Sequence, residues 1–319
     1  MKIMVTGGAG FIGSHVVDFY IKEGHQVVVV DNLSTGKREN LNSEAIFYHV
    51  DIRSPEIGRI IKKEHVEVLN HHAAQISVPD SVTDPLNDAD INIKGFLNLL
   101  ENSVKNGVRK CIFISSGGAI YGEASQYPTS EDYPPRPLSP YALSKFASEY
   151  YLDYYRHQYG LEYTILRYAN IYGPRQMPIG EAGVVSIFMT NLVNNEISTL
   201  YHFSDDADGM IRDYCYVRDA VRANLLALSK GNGDFFNIGT GRETKTLDLY
   251  KMIYNCVKDI KPDISEKLAD PNRQKARSGD IPRSCLVVEK ARRMLGWIPE
   301  TGLENGLRLT LKWYVQRFS

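Results

Sequence analysis

A glycine-rich motif near the start of the chain constrains the fold more than any other feature. Residues 7–13 have the sequence GGAGFIG, directly after an apolar run at 3–6 and before an apolar helical pattern. Glycines at such a junction allow a tight turn and let a pyrophosphate approach the amides at the helix N-terminus. The sequence therefore predicts a dinucleotide-binding strand–loop–helix unit, with contacts at Gly7, Gly10, Phe11, Ile12 and Gly13.

The first half of the chain alternates β-branched apolar runs with amphipathic stretches. The predicted strands are 3–6, 26–30, 46–52, 66–71, 110–115 and 163–168. Continuous apolar strands separated by helical patterns are typical of a parallel sheet that is covered on both faces. We therefore predict an α/β protein with a Rossmann-type doubly wound parallel sheet and a smaller, mixed α/β substrate-binding lobe.

The length of 319 residues favours two lobes with a ligand cleft between them. The predicted dinucleotide-binding domain spans 1–167 and the predicted substrate-binding domain spans 168–319. The two are expected to interleave, because the segments near 219–260 still have αβ character and would pack back on the first domain. Within that stretch, Thr246 is the expected N-cap of a helix.

Charge and cysteine usage exclude several classes of protein. The 37 basic and 38 acidic residues give almost no net charge, so the chain has no overall electrostatic attraction for nucleic acid. No apolar run approaches the roughly 20 residues that span a bilayer. Four widely spaced cysteines indicate neither a disulfide framework nor a metal site. Since the first strand runs straight into the glycine turn, leaving no room for a signal peptide, we expect a cytoplasmic protein without metal.

An acidic residue after the second strand bears on the choice of dinucleotide. Asp31 can accept hydrogen bonds from an adenosine ribose and would repel a 2′-phosphate, which favours NAD. Lys37 and Arg38 follow closely and leave NADP as the alternative. Asp51 ends another predicted strand and is either a neighbour of the adenine or an exposed carboxylate. The further cofactor contacts predicted at strand ends and nearby are Asn32, Asp51, Ile52, Ala73, Ala74, Gln75, Asn92 and Tyr168.

Tyr141 and Lys145 stand four residues apart after a proline-rich loop, which places both on one face of a predicted helix. A lysine ammonium beside the phenol, helped by a positively charged nicotinamide ring, is expected to lower the pKa of the tyrosine toward the working pH. Tyr141 would then serve as a general base. A hydroxyl at the carboxyl end of the strand 110–115 faces the ligand cleft, and both Ser115 and Ser116 offer one.

Four motifs together resemble the extended short-chain dehydrogenase/reductase family, and within it the UDP-galactose 4-epimerases. They are GGAGFIG at 7–13, SSGGAIYG at 115–122, YALSK at 141–145 and LRYAN at 166–170, and the similarity covers nearly the whole chain. The resemblance implies a nucleotide-sugar substrate and a retained NAD. It implies that Tyr141 removes the proton of the 4-hydroxyl while hydride passes from C4 to NAD, and that the resulting 4-keto sugar turns over and is reduced on its other face.

The serine loop is one residue longer than the commoner family sequence, SSSATVYG. Counting forward from the strand makes Ser116 the catalytic hydroxyl, whereas counting back from Tyr121 places Gly117 there. Because glycine has no hydroxyl, we favour Ser116, with Ser115 as the alternative. The predicted catalytic residues are therefore Ser116, Tyr141 and Lys145.

Two other functions compete with the epimerase interpretation. Sugar 4,6-dehydratases look similar but carry an Asp-Glu pair after the catalytic hydroxyl for acid–base work at C5 and C6, and residues 117–119 offer no such pair. A non-catalytic dinucleotide sensor would share the fold. The intact Ser116, Tyr141 and Lys145 argue against the sensor, which has no use for a phenol beside a lysine.

The resemblance also implies a set of substrate contacts. Arg212 and Arg277 match two diphosphate-binding arginines, Asp280 lies near the uridine ribose, and Asn170 belongs to the diphosphate or sugar region. Ser284 resembles a position at the end of the sugar pocket that holds a tyrosine in glucose-restricted members. A serine there leaves room, so we expect UDP-GlcNAc and UDP-GalNAc to be accepted as well.

Three features of the sequence each allow two interpretations. Ser77 and Tyr168 line the sugar pocket or belong to the core. The acidic run 205–208 is a solvated loop or a lid rather than a metal site. The helix after Tyr141 has an apolar and aromatic belt wider than one sheet-facing stripe needs, so either a covering loop or a second copy packs on it. Family members commonly dimerise through this helix, and we predict a homodimer.

Overall fold

A computed structural model describes residues 1–178, 183–277 and 279–318. In chain order the strands are β1 Lys2–Thr6, β2 Gln26–Asp31, β3 Ile46–His49, β4 Val68–His71, β5 Lys110–Ser116, β6 Glu162–Tyr168, β7 Asn170–Tyr172, β8 Thr199–His202, β9 Ile211–Arg212, β10 Tyr214–Tyr216, β11 Asp234–Ile238, β12 Thr244–Lys245 and β13 Asn272–Lys275. The helices are α1 Phe11–Lys22, α2 Glu56–Glu64, α3 Val78–Thr83, α4 Pro85–Ala89, α5 Phe96–Lys105, α6 Pro140–Tyr159, α7 Val184–Val193, α8 Val217–Ala227, α9 Thr246–Ile260, α10 Glu289–Leu295 and α11 Leu303–Phe318. Short turns of other helix types span Arg38–Asn40, Asp90–Gly95 and Glu266–Ala269.

The central sheet of the described chain has seven strands in the order β11-β6-β5-β4-β1-β2-β3, and every neighbouring pair is parallel. The chain moves outward in one direction from β1 to β3 and in the other from β4 to β11. This reversal between β1 and β4 opens a crevice at the carboxyl ends of the strands, where ligands bind in doubly wound sheets. The predicted Rossmann-type fold is confirmed.

Both faces of the sheet are buried, which explains why the strands are apolar without interruption. Along β1, Ile3 and Val5 belong to one core while Met4, pointing the other way, belongs to the second. The first core packs against α1 and α8, and the second packs against α2, α5 and α6. The successive strand residues therefore face different helical layers.

Most predicted strands agree with the structure to within one or two residues, and two local predictions were wrong. The strand predicted at 46–52 ends at His49, because Asp51 accepts a hydrogen bond from the amide of Arg53 and turns the chain. Thr246 is the first residue of α9, and Lys245 occupies the N-cap. The Thr246 hydroxyl instead donates to the carbonyl of Met210 at 2.9 Å, tying the helix to the neighbouring loop.

The remaining strands form three small sheets, which pair β7 with β10, β9 with β12, and β8 with β13. Helices α7, α9 and α11 pack around them. Within the stretch near 219–260, β11 joins the large sheet and α8 packs on α1, whereas α9 packs against α7. The division of the chain at residue 167 stays a prediction. Among the described helices, none combines the length and apolarity needed to cross a bilayer.

Candidate active site

The glycine motif brings three stretches of backbone into direct contact. Gly7 has φ +70°, and a Cβ there would lie 2.7 Å from the amide nitrogen of Ala73. A Cβ on Gly13 would lie 2.2 Å from the carbonyl oxygen of Gly7. Because no side chain fits at either position, the glycine loop meets the start of α1 and the segment after β4 through backbone atoms. Gly10 is the N-cap of α1 and makes no side-chain cap, so the helix N-terminus can accept an anion.

The carboxylates at the ends of β2 and β3 have different environments. Asp31 is buried and accepts hydrogen bonds from the amides of Ala9 at 2.9 Å and Leu33 at 2.8 Å, and burial raises its pKa. Asp51 forms an ion pair with Arg53 at 2.8 Å and accepts from Asn32 at 2.8 Å. Hydrogen bonds from Arg53 hold the pKa of Asp51 well below its ordinary value. Asp51 therefore has a side-chain cation as its main partner, whereas both hydrogen bonds described for Asp31 come from backbone amides.

Several predicted cofactor residues form the wall behind the glycine motif. Gln75 donates its amide hydrogen to Asn92 Oδ1 at 2.9 Å, and Asn92 Nδ2 donates to the carbonyl of Gln75 at the same distance. Asn92 also donates to the buried carboxylate of Asp88. Ile52 is buried in the core rather than presented to the crevice. Gln75, Asn92 and Ile52 therefore lie behind the residues that line the smaller cavity and support them.

The predicted catalytic residues converge at the carboxyl end of β5. Ser116 ends that strand, and Tyr141 and Lys145 are one turn apart on α6, which begins after the N-cap Ser139. Burial raises the pKa of Tyr141 to about 12, with Asp88 adding to the rise and a hydrogen bond from Ser116 opposing it. Burial lowers the pKa of Lys145 to about 8.

The predicted lowering of the tyrosine pKa invokes a bound nicotinamide ring as well as the lysine, so the raised pKa of Tyr141 in the protein alone leaves it a prediction. Lys145 Nζ donates to the carbonyl of Ile114 at 2.9 Å and lies 6.0 Å from the centroid of the Tyr141 ring. Both groups are removed from water, which penalises the charged form of each. A positive charge beside the phenol would favour its ionised form and so oppose the effect of burial on the pKa of Tyr141.

The two candidate serines have different partners. Ser115 is buried and donates its hydroxyl to Glu149 Oε1 at 2.5 Å. Both serines line the smaller cavity, but only Ser116, whose side chain points to the other face of the strand, also lines the larger one with Tyr141. The geometry thus favours Ser116 as the reactive hydroxyl.

A buried ion pair lies beneath the catalytic residues, and sequence reasoning missed it. Arg167 contacts both oxygens of Glu149, at 2.6 and 3.1 Å, and donates to Tyr121 Oη at 2.8 Å. The side chains of Arg167 and Glu149 are only 3% and 6% exposed. Since Glu149 follows Lys145 by one helical turn, its placement on the buried face of α6 was the available signal.

Two adjoining cavities occupy the crevice. The smaller, of about 200 Å³, is lined by predicted cofactor residues, and the larger, of about 490 Å³, is lined by predicted substrate residues. Ser116 and Tyr141 line both. The smaller cavity includes Gly10, Phe11, Ile12, Gly13, Ala74, Lys145 and Tyr168. The larger includes Ser77, Asn170, Arg212, Arg277 and Asp280.

The substrate arginines are held differently. Arg212 donates to the carbonyls of Ile211 at 2.9 Å and Ile281 at 2.8 Å. Arg277 is exposed and pairs with Asp280 at 3.2 Å, with its guanidinium 4.8 Å from the Tyr201 ring centroid. Arg212 is thus fixed by backbone, and Arg277 by side chains.

The remaining predictions, Ser284 and the acidic run, are not among the described residues that line the larger cavity. Ser284 is buried, and its Oγ lies 3.9 Å from where a Cβ on Gly118 would be, beside Ser116 and Asn170. In the acidic run, Asp206 and Asp208 form ion pairs with Lys245 at 3.1 and 3.2 Å. No group of three metal-ligating side chains was found among the described residues.

Two buried polar atoms on the smaller cavity have no hydrogen-bond partner within the described chain, and sequence reasoning missed both. They are Nε2 of His72 and Oε1 of Gln176. The position of His72 directly after β4, beside the predicted contacts Ala73 and Ala74, was an available signal. Gln176 lies in an irregular segment after β7, where no sequence pattern marked it.

Comparisons with known proteins agree with this arrangement. The model of the NAD dependent epimerase/dehydratase family matches residues 3–239. The UDP-glucose 4-epimerase of Thermotoga maritima, solved with UDP-glucose, is 48% identical, covers 100% of both chains and has a TM-score of 0.93. The UDP-glucose 4-epimerase of Thermus thermophilus, solved with NAD, is 42% identical over 99% of both chains, with a TM-score of 0.90. A UDP-N-acetylglucosamine 4-epimerase from Methanobrevibacter ruminantium, in complex with UDP-N-acetylmuramic acid, is 33% identical over 99% of both chains, with a TM-score of 0.89.

Proposed function

Because the chain belongs to the NAD dependent epimerase/dehydratase family, we propose that it is a nucleotide-sugar 4-epimerase that interconverts UDP-glucose and UDP-galactose. One observation carries the proposal. Ser116 and Tyr141 line both the cavity with the glycine motif and the cavity with the arginines, so a sugar in one meets an oxidant in the other.

The residues of the smaller cavity fit NAD. The uncapped N-terminus of α1 suits a pyrophosphate, the Asp31 carboxylate suits a ribose, and the cradle at Gly7 and Gly13, which has no room for a Cβ, suits close approach of the dinucleotide. Bound NAD supplies the reversible two-electron oxidation of the sugar carbon and a positive charge close to the phenol. We assign the cofactor contacts to Gly7, Gly10, Phe11, Ile12, Gly13, Asp31, Asn32, Asp51, Ala73, Ala74, Tyr141, Lys145 and Tyr168, and a supporting role behind them to Ile52, Gln75 and Asn92.

The chain's own residues handle the proton. Tyr141 accepts the proton of the sugar 4-hydroxyl and returns it after the ketone has presented its other face. Ser116 hydrogen-bonds the same oxygen and the tyrosine. Lys145, held by the carbonyl of Ile114, adds positive charge in a site where burial strengthens electrostatic interactions.

The loop after Ser116 supports epimerisation over dehydration. A 4,6-dehydratase needs an acid and a base that act beyond C4, whereas Gly117, Gly118 and Ala119 carry no ionisable side chain. A Cβ at Gly118 would lie 3.6 Å from Asn170 Oδ1 and 3.9 Å from Ser284 Oγ, in ordinary van der Waals contact.

The larger cavity supports a UDP-sugar as substrate. Arg212 and Arg277 would bind the diphosphate and Asp280 the ribose, with Asn170, Ser77 and Ser116 along the path to the sugar. The small side chains of Gly118 and Ser284 leave room for a 2-acetamido group, so the proposed substrates include UDP-GlcNAc and UDP-GalNAc.

We also propose a cytoplasmic homodimer. Leu143, Tyr150 and Tyr154 on α6 are 57%, 66% and 51% exposed, an apolar face that a second copy would cover. All four cysteines are buried and unpaired, which suits a reducing compartment.

The test is turnover of UDP-galactose and UDP-GalNAc by the purified protein, with and without added NAD, beside Tyr141→Phe. Tyr150→Phe, on the exposed face of the same helix, is the matched control. We expect interconversion at C4 that only Tyr141→Phe abolishes. Absence of conversion in the parent protein with NAD bound would overturn the epimerase proposal, and equal loss in both variants would overturn the role of Tyr141.

A further inference from the structure

Asp88 is a buried carboxylate that the mechanism described above does not use. It lies in the short helix α4 and is fully buried, although the three residues before it are exposed. Its oxygens accept hydrogen bonds only from uncharged side chains of the described chain: Oδ2 from Ser144 at 2.6 Å, and Oδ1 from Asn92 at 2.9 Å and Gln75 at 3.3 Å. Burying a carboxylate costs free energy unless a cation compensates its charge, so Asp88 requires a positive charge nearby.

The donors around Asp88 are fixed in orientation and favour its charged form. Asn92 exchanges two hydrogen bonds with the backbone of Gln75, and its remaining amide hydrogen points to Asp88. Hydrogen bonds to a carboxylate stabilise the anion. Burial raises the pKa of Asp88, whereas its hydrogen bonds from Ser144 and Asn92 oppose the rise, as does the charge of Lys145.

Lys145 is a buried cation that no carboxylate contacts. Its Nζ donates to the carbonyl of Ile114 at 2.9 Å, and neither Lys145 nor Asp88 forms an ion pair with another described side chain. Glu149, one turn further along α6, already pairs with Arg167 at 2.6 Å. The charges of Lys145 and Asp88 therefore depend on compensation over a longer distance.

The fold brings these two charges together at the first half of α6. Asp88 is bonded to Ser144, the residue directly before Lys145, and all three side chains are buried. Burial lowers the pKa of Lys145 to about 8, and the charge of Asp88 limits this fall. The same charge adds to the rise that burial causes in the pKa of Tyr141. Asp88 thus acts on both ionisable residues of the site.

None of the other titratable groups around Lys145 offers it an unpaired negative charge. These groups are Tyr141 and Glu149 on α6, and His71 and His72 at the end of β4 and directly after it. Burial lowers the pKa of both histidines, that of His72 to about 3, so both are neutral. Glu149 is neutralised by Arg167, which leaves Asp88 as the anion available to Lys145.

We propose that Asp88 is a positioning residue, the counter-charge that holds Lys145 in its charged form beside Tyr141. This inference rests on the proposed function, in which the lysine charge stabilises the phenolate that takes the proton of the sugar hydroxyl. Asp88 lines neither cavity, so it acts through its charge and not by contact with a ligand.

The test compares Asp88→Asn, which removes the charge at constant size, with Ser144→Ala, which removes the shortest hydrogen bond to the carboxylate and keeps its charge. The pKa of Lys145 is measured in cofactor-free protein by NMR of ¹³Cε-labelled lysine, and its resonance is assigned by its loss in Lys145→Met. For Asp88→Asn we expect this pKa to fall by about one pH unit, a ten-fold change in the ratio of charged to neutral lysine. In Ser144→Ala it should stay at the parent value.

The pH dependence of kcat is the second readout. Removing a nearby anion lowers the pKa of an amine and of a phenol alike, so both limbs of the profile should move to lower pH in Asp88→Asn. Both limbs should stay in place in Ser144→Ala. A merely structural role of Asp88 would lower kcat without moving either limb.

An unchanged pKa of Lys145 in Asp88→Asn would overturn the inference. An equal shift in Ser144→Ala would overturn it too, because a disturbed helix would then be the cause. A shifted pKa of Lys145 with unmoved limbs of kcat would overturn the role in turnover. If Tm shows that Asp88→Asn does not fold, Asp88→Ser removes the same charge and replaces it in both measurements. If the parent protein converts no UDP-sugar, the proposed function fails, while the NMR titration still decides whether Asp88 is the counter-charge of Lys145.

Discussion

The two cavities of this protein are built by opposite means. The smaller one depends on missing side chains, because Gly7 and Gly13 let three backbone segments touch. The larger one depends on side chains contributed from β5, α6, β7 and β9 and by Arg277 and Asp280. The cofactor side is therefore sensitive to volume added at a few adjacent residues, whereas the substrate side is sensitive to chemistry removed at residues far apart in the chain.

The largest effect should come from adding one methyl group to the cofactor side. In Gly13→Ala the new Cβ would meet the carbonyl of Gly7, so α1 must move away from β1. We expect protein purified from this variant to retain no NAD, measured by absorbance and chromatography after denaturation. Gly302→Ala is the control, because that glycine, like Gly13, has no positive φ and nothing lies within 4 Å of its added Cβ. Retained NAD in Gly13→Ala would contradict the inference that NAD binding requires the close contact between Gly13 and the carbonyl of Gly7.

Removing one hydroxyl should have the next largest effect, and only at one of two adjacent serines. Ser116→Ala should lower kcat about 10²- to 10³-fold, because it removes a hydrogen bond to the reacting oxygen. Ser115→Ala should leave kcat within a few-fold and lower Tm, since that hydroxyl is bonded to buried Glu149. Steady-state kinetics and thermal unfolding of both variants check this. The reverse pattern would make Ser115 the reactive residue.

The two arginines allow a finer comparison within the larger cavity. Arg212→Met should weaken UDP binding about 100-fold, because its guanidinium is held by two backbone carbonyls and would need no reorientation to bind phosphate. Arg277→Met should weaken it about ten-fold, since that side chain is exposed and already paired with Asp280. Calorimetry with UDP measures both. NAD retention should be unchanged in each variant. A parallel loss of NAD would contradict the assignment of the cofactor and the substrate to separate cavities.

The smallest expected effect is on stability and depends on pH. The pKa of Lys145 is lowered from 10.5 to about 8 in the folded protein. Below pH 8 the buried Lys145 is therefore charged in the folded protein, and its burial lowers the free energy of unfolding. Between pH 8 and 10.5 the unfolded chain binds more protons, and stability rises with pH. In cofactor-free protein, Lys145→Met should therefore raise Tm at pH 7, with a difference that shrinks toward pH 10. A constant difference across this range would show that charge is not the cause.

The difference between local features and long-range contacts explains how far the sequence could predict the site. The glycine junction is a local feature of seven consecutive residues, and the one-turn spacing of Tyr141 and Lys145 is local too, so both were predicted with the fold. The pair of Glu149 and Arg167 was not predicted, because it joins helix α6 to strand β6 between residues 18 positions apart in the chain. The unpartnered polar atoms of Gln176 and His72 were missed because only three-dimensional packing reveals an absent partner.

The buried pair of Glu149 and Arg167 has a consequence for how this site can vary. Through Ser115 and Tyr121 the pair reaches the catalytic strand and its loop, and Tyr121 continues to Asn237 on β11 at 2.9 Å. Removing either charge alone leaves the other unpaired in the interior, which costs about 3–5 kcal/mol, whereas replacing both together need not. A saturation-mutagenesis map would therefore show intolerance at two residues that touch no ligand. Related sequences that differ there should differ at both.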